Sequence, residues 1–157
     1  MNHVVRDPGF DRRVRDSFAR QQFMATLGAT LELVRPGEVL IALPFSAALT
    51  QQHGFLHAGV VTSVIDSACG YAALSLMEPG AGVMSVEFKV NLLAPAAGNR
   101  FVAMGRVVKA GRTLTVCHGE LRAVQADGEV LVAVLQGTMM AVRDRDGVSD
   151  QDASPTQ

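Results

Sequence analysis

The chain has 157 residues, room for one domain and hardly for two. Hydrophobic residues make up 48% and aromatics only 5% with no Trp, so a sizeable core is possible but must come from Val, Leu, Ala and Met. With 14 basic and 15 acidic residues the net charge is −1, which excludes an overall pull toward nucleic acid but leaves room for a local basic patch that could hold a phosphate-bearing ligand.

The first residues, MNHVVRDPGFDRRVRDSF, are polar and charged and do not read as a signal peptide. No stretch approaches the ~20 apolar residues of a membrane span. The expected location is the cytoplasm, with no membrane and no nucleic acid as partners. Cys69 and Cys117 stand far apart, form no metal-type pair, and read as reduced core residues.

From Phe10 to about Leu27, Phe10, Val14, Phe18, Phe23, Met24 and Leu27 recur at near-helical spacing, and Asp7-Pro8 suits the entry of an amphipathic helix. Leu31 and Leu33, then Val39 and Ile41, flank Arg35-Pro36-Gly37, which reads as a β-hairpin. Ser46 to Gly59 is a loop rich in Gln, His and Gly. Val60 to Met77 is Ala-rich, apolar almost all round and free of Pro, which predicts a buried helix of about five turns ended by Glu78-Pro79-Gly80. Four strands follow, over 83–93, 100–109, 113–125 and 129–142, the last two joined by an Asp127-Gly128 turn. In the first of these, Met84, Val86, Phe88, Val90 and Leu92 alternate with Ser85, Glu87, Lys89 and Asn91. The tail over 143–157 is polar and is expected to be disordered.

Helix, hairpin, long apolar helix and four strands argue an α+β fold, an antiparallel sheet wrapped around the central helix. Residues 1–142 form one domain in this reading, with its core over 28–142. The exposed sheet edge would be covered by a second copy.

The segment QQHGFLHAGVVTSVIDSACGYAA carries the chemistry. Gln51, His53 and His57 precede the apolar helix, and Gly54 and Gly59 let a ligand approach the backbone. Asp66 sits inside it, between Ile65 and Ala68. A carboxylate there is costly unless paired or functional, and burial raises its pKa. It either hydrogen-bonds Thr62 or Ser67 for structure, or it is a catalytic acid or base. His57 and Asp66 are nine residues apart, half a turn out of phase and about 13 Å along the axis, so they form no dyad within one helix. His57 is a capping or core histidine, or a second copy brings it to Asp66. His118, in mid-strand, reads as structural. Free N–H groups near Ala58 and Gly59 suit an oxyanion or a polarised carbonyl. No metal-ligand spacing, phosphate loop or nucleophile elbow appears, and no cofactor is implied.

These residues resemble the hotdog-fold acyl-CoA thioesterases of the phenylacetate-degradation type. That family carries Asn-x-x-Gly-x-x-His-Gly-Gly and then an Asp nine residues after the His. Gln51, Gly54, His57, Ala58, Gly59 and Asp66 occupy those positions here. The likeness continues through VMSVEFKVNLLAPA, VVKAGRTLTV and DGEVLVAVLQGTMM.

The resemblance implies hydrolysis of an acyl-CoA to free acid and CoA. Asp66 would be the general base or nucleophile, with the Ala58 amide polarising the carbonyl beside Gln51 and Ser85 holding the water. His57 and Gly59 complete the motif. Lys109, Gly111 and Arg112 would lie against the CoA phosphates and adenine; an ordinary solvated turn is the other reading of that stretch. The Asp and the His loop would come from opposite protomers of a homodimer, or of a homotetramer of such dimers. Gln51 stands where the family has Asn and reaches one carbon further, and Ala58 replaces a Gly, which points to an altered acyl profile. A 3-hydroxyacyl thioester dehydratase would need His53 with Asp66, but lacks its Pro-rich stretch here. A non-catalytic acyl-CoA-binding protein is the other alternative.

Overall fold

A computed structural model describes residues 3–143 and residue 148. The hairpin forms where expected, as β1 (Thr30–Arg35) and β2 (Glu38–Pro44). Pro36-Gly37 makes the turn, and Gly37 takes φ +76°, which only glycine adopts without strain. The helix predicted from Phe10 to Leu27 is two helices, α1 (Phe10–Arg20) and α2 (Gln22–Leu27). Gln21, at φ −78° and ψ 94°, breaks it, and its side chain accepts a hydrogen bond from the Tyr71 hydroxyl at 3.2 Å. The break lets Val14 and Met24 both enter the core.

The long helix, α3, runs Ala58–Leu74 rather than from Val60 to Met77. It starts earlier because His57 caps it, and it ends earlier at Ser75. Arg13 holds that end. Its guanidinium donates to the carbonyls of Leu74 and Met77 at 2.8 Å each and also reaches Glu78 O. Asp7 lies 3.3 Å from its Nε. Carbonyls that a helix end leaves orphaned are thereby satisfied by the N-terminal helix.

Then come β3 (Gly82–Leu92), β4 (Arg100–Ala110), β5 (Leu114–Gln125) and β6 (Gly128–Val142). They join the hairpin in one antiparallel sheet of order β1-β2-β4-β5-β6-β3, with α3 on its inner face. This is the hotdog arrangement that the resemblance implied. Phe101, Ala103, Val107, Cys117, Leu121, Leu135 and Met139 are buried, and alternate residues of β4, β5 and β6 face outward.

Two glycines let the helix press against the sheet. Gly105 and Gly119 are partners across β4 and β5. A Cβ on Gly105 would lie 2.2 Å from Ala68 C, and one on Gly119 would lie 2.3 Å from Ile65 Cγ2. Asp66 therefore rides on a stretch of helix whose height above the sheet is fixed.

The alternation expected along β3 does not run through. Ser85 pairs with Met139 and Glu87 with Thr138, leaving Val86 as a bulge. Val83 and Ser85 lie on the inner side of the sheet before the bulge; Phe88, Val90 and Leu92 share that side after it, opposite Gly137, Leu135 and Ala133, though only Val83 and Val90 pack against the core. The outer edge of β3 has no strand partner among the described residues, and Met84, Val86, Phe88 and Leu92 are exposed along it. Residues 144–147 and 149–157 of the expected disordered tail lie outside the described residues.

Candidate active site

The loop before α3 folds on itself. Gln51 N–H donates to Phe55 O at 2.8 Å, Gly54 N–H returns to Gln51 O at 3.0 Å, and the Gln51 side-chain oxygen takes the His53 N–H. The loop holds a short 3-10 turn (Ala47–Leu49), and Gly54 carries φ +84°. His57 ends it as the N-cap of α3: Nδ1 accepts from Gly59 N–H at 2.9 Å, and its carbonyl accepts from the amides of Val60 and Val61. Three first-turn donors are thus satisfied. The fourth, Ala58 N–H, has no acceptor among the described residues. A free donor at the positive end of a 17-residue helix is a ready site for a developing oxyanion. The capping role expected as one reading of His57 is the one its Nδ1 performs in this chain.

Two turns further along, Asp66 is half-buried on the flank of α3 that meets β3, in a partly exposed stripe with Thr62, Ser63, Ser67 and Gly70. Thr62 and Ser63 turn their hydroxyls back to Ala58 O and Gly59 O, at 2.8 and 2.7 Å. The partner of Asp66 is neither Thr62 nor Ser67 but Ser85, whose hydroxyl donates to Oδ1 at 2.8 Å and sits 3.4 Å from Met139 Sδ. Burial pushes the Asp66 carboxyl above its ordinary value, and the Ser85 hydrogen bond partly opposes this. The bulge at Val86 makes this contact. Without it, Ser85 and Phe88 would point to opposite faces of the sheet. The bulge was the feature that sequence reasoning missed, since an unbroken alternation reads the same whether or not one residue is extruded.

Thr115, Met139 and Ser85 lie side by side across β5, β6 and β3. The turn with Lys109, Gly111 and Arg112 opens at that end of the sheet. Gly111 N–H donates to Leu114 O at 2.9 Å, and a Cβ on Gly111 would strike that oxygen at 2.3 Å. Lys109 and Arg112 are exposed. Arg143, which the sequence did not single out, ties the turn down by donating to Arg112 O at 2.7 Å while its Nε lies 3.4 Å from Glu78.

The remaining candidates stay apart from this centre. His53 is exposed in the loop, 3.4 Å from Gln52 Nε2. His118 faces outward from β5, 3.3 Å from Glu120 Oε1. Burial pulls Glu120 upward, but hydrogen bonds from His118 and Arg122 outweigh it and hold its carboxyl below the ordinary value. Cys69 and Cys117 are free, buried thiols beneath Asp66. Burial pushes both upward, Cys117 to about 12. No group of three or more metal-ligating side chains occurs among the described residues, and no helix there is long and apolar enough to cross a membrane.

Comparison with known proteins gives a consistent picture. The profile of the thioesterase superfamily matches residues 53–129, a span that includes His57, Asp66, Ser85 and the Lys109–Arg112 turn. A crystal structure of a thioesterase family protein from Silicibacter pomeroyi superposes with a TM-score of 0.85 at 55% identity, covering 86% of this chain and 99% of that one. Human acyl-coenzyme A thioesterase 13 is 31% identical over 103 residues, 64% of this chain and 73% of its own length. A Saccharolobus solfataricus protein, named provisionally as an esterase, is 31% identical over 94 residues. The chain spans 65% of that protein's length.

Proposed function

This chain belongs to the thioesterase superfamily, and we propose that it hydrolyses an acyl-CoA thioester with Asp66 as the base or nucleophile. The observation that carries the proposal is the single carboxylate of α3, half-buried, raised by that burial and held by Ser85. The name of the human relative supports CoA as the thiol carrier.

As base, Asp66 takes a proton from water while the water oxygen bonds to the thioester carbon. The carbonyl electrons move onto an oxyanion facing Ala58 N–H, with Gln51 alongside. The C–S bond then breaks, and the departing sulfur takes the proton back from Asp66. As nucleophile, Asp66 attacks the carbon itself, the C–S bond breaks and CoA leaves as thiolate; water then cleaves the resulting anhydride, returning the Asp66 carboxylate and releasing the acid, whose proton goes to the thiolate. Lys109 and Arg112 meet the CoA phosphates, with Gly111 giving the turn its tightness.

Two copies are needed. Ala58 and Asp66 are eight residues apart on one helix, about 12 Å along its axis, too far to serve one carbonyl. A second copy pairing along the exposed edge of β3 brings the Asp66 stripe of one protomer to the Ala58 amide of the other. Such dimers, alone or paired into a homotetramer, are the working assembly.

The test is release of free CoA from a panel of acyl-CoAs. Turnover of at least one member supports hydrolysis. Tight binding across the panel without any thiol release would instead favour a non-catalytic acyl-CoA-binding protein.

A further inference from the structure

Ser85 has one hydroxyl proton and, among the described residues, two side-chain acceptors for it. Asp66 Oδ1 lies 2.8 Å from its Oγ and Met139 Sδ lies 3.4 Å away. Ser85 and Met139 are directly paired across β3 and β6. Met139 is fully buried, so water does not compete for its sulfur. A thioether is a weak acceptor and never a donor. A Leu or Val would fill the same space and offer Ser85 nothing.

One proton cannot serve both acceptors. While Asp66 is ionised, the carboxylate is the stronger of the two and holds it. Once Asp66 has taken up a proton it becomes a donor itself, and Ser85 Oγ is the atom before it. The Ser85 proton must then point elsewhere, and Met139 Sδ is in reach. We propose that Met139 is a positioning residue for Asp66, its sulfur receiving the Ser85 O–H whenever Asp66 is protonated and returning it when Asp66 ionises. The proposal rests on the reading of Asp66 as the base. In that reaction Asp66 takes a proton from water and later hands it to the departing sulfur. At each exchange the Ser85 hydroxyl only rotates, and no covalent bond of Ser85 or Met139 changes. Ser85 thereby stays hydrogen-bonded in both states and keeps its place against the carboxyl. The sulfur favours the protonated carboxyl and so eases the uptake of the proton.

Other charged groups stand off from this trio. Of the elements packed against α3, β5 brings Cys117, and α3 itself carries Cys69; burial keeps both thiols protonated. Glu87 and Lys89 of β3 are engaged by Thr138 and Asn91. His57 and Arg13 lie at the two ends of the helix. From β2, β4 and β6 the buried residues are apolar or glycine.

The test is the titration of Asp66 itself, followed by carbon NMR on protein labelled at its aspartate carboxyls and assigned with Asp66→Asn. Met139→Leu nearly conserves the volume and removes the acceptor. Asp66 should then titrate roughly half a pH unit lower than in the wild type, the worth of one weak hydrogen bond. In a Ser85→Ala background the same Met139→Leu change should leave the titration where it was, because the sulfur acts only through the hydroxyl. A packing role alone would shift both backgrounds alike. The acid limb of kcat/KM should follow the titration to lower pH in Met139→Leu, opposite to its movement in Ser85→Ala. Coincident titrations of the wild type and Met139→Leu, or an equal shift with and without Ser85, overturn the proposal. A titration that moves while the limb stays would instead remove Asp66 from the role of base. A wild type that releases no thiol from any acyl-CoA would sink the hydrolysis and leave the exchange among the three side chains standing.

Discussion

Ser85 Oγ donates to Asp66 Oδ1 at 2.8 Å, joining the edge strand β3 to the middle of α3. The bond stabilises the charged form of a carboxylate whose pKa burial raises. Ser85→Ala removes that support, so the Asp66 pKa should rise further. If Asp66 must be ionised to act, the acid limb of the kcat/KM profile should shift to higher pH. The loss of rate should then be greater on the acid limb than on the plateau. A pH-rate profile of the variant beside the wild type checks this; an unmoved limb would detach Ser85 from Asp66.

Asp66→Asn keeps the size and removes the charge. Turnover should fall by roughly two orders of magnitude or more, as for other positioned bases, with KM changing less. Stability should move the other way. The folded-state pKa of Asp66 is raised, so its contribution is fully favourable below its unfolded value and is lost as pH rises through the folded one. At neutral pH the wild type therefore carries the cost of a half-buried charge that the variant lacks. Thermal melts should show Asp66→Asn more stable near pH 7, with the gain shrinking as pH falls through the raised Asp66 pKa toward the ordinary Asp value. A folded Asp66→Asn with wild-type turnover would make Asp66 a structural residue.

The edge of β3 offers a test of the two-copy site. Val86 is 53% exposed at the bulge. A lysine there places a charge in any edge-to-edge pairing. Val86→Lys should sediment as a monomer and lose activity at least tenfold. An active Val86→Lys monomer at assay concentration would show that one chain suffices.

Gly105→Ala tests how closely α3 is held. The added methyl would meet the backbone of Ala68 and Cys69, which cannot swing aside as a side chain could. The helix must shift, at a cost of about 3 kcal/mol. Denaturant unfolding should register that loss, and activity should suffer with it because Ser85 and Asp66 would lose their spacing. A variant as stable as the wild type would mean the helix has slack.

Much of this was legible in the residues, for reasons that differ from element to element. Pro36-Gly37 signals its turn because few other pairs suit that geometry. Asp66 stands out because every neighbour in its run is apolar or small. The break at Gln21 was hidden, since the apolar spacing passes through it; the bonds from Arg13 to Leu74 and Met77 and from Tyr71 to Gln21, which help seat α1 and α2, join residues far apart in the chain. The bulge at Val86 was hidden too, because hydrophobic alternation records which residues are apolar and not which one leaves the ladder. A cavity beside the start of α3 draws on residues from Gln51 to Val132, a grouping that only the folded sheet creates.

The two thiols beneath Asp66 have a practical corollary. The reaction proposed here liberates a thiol, and the usual dyes for following it react with any exposed thiolate. Cys69 and Cys117 are fully buried, and burial keeps both protonated. The folded protein is therefore silent toward such a dye, and colour reports product alone. As the protein unfolds it adds two dye equivalents of its own, so a slow rise in a substrate-free blank is a direct gauge of lost structure under the conditions of the assay.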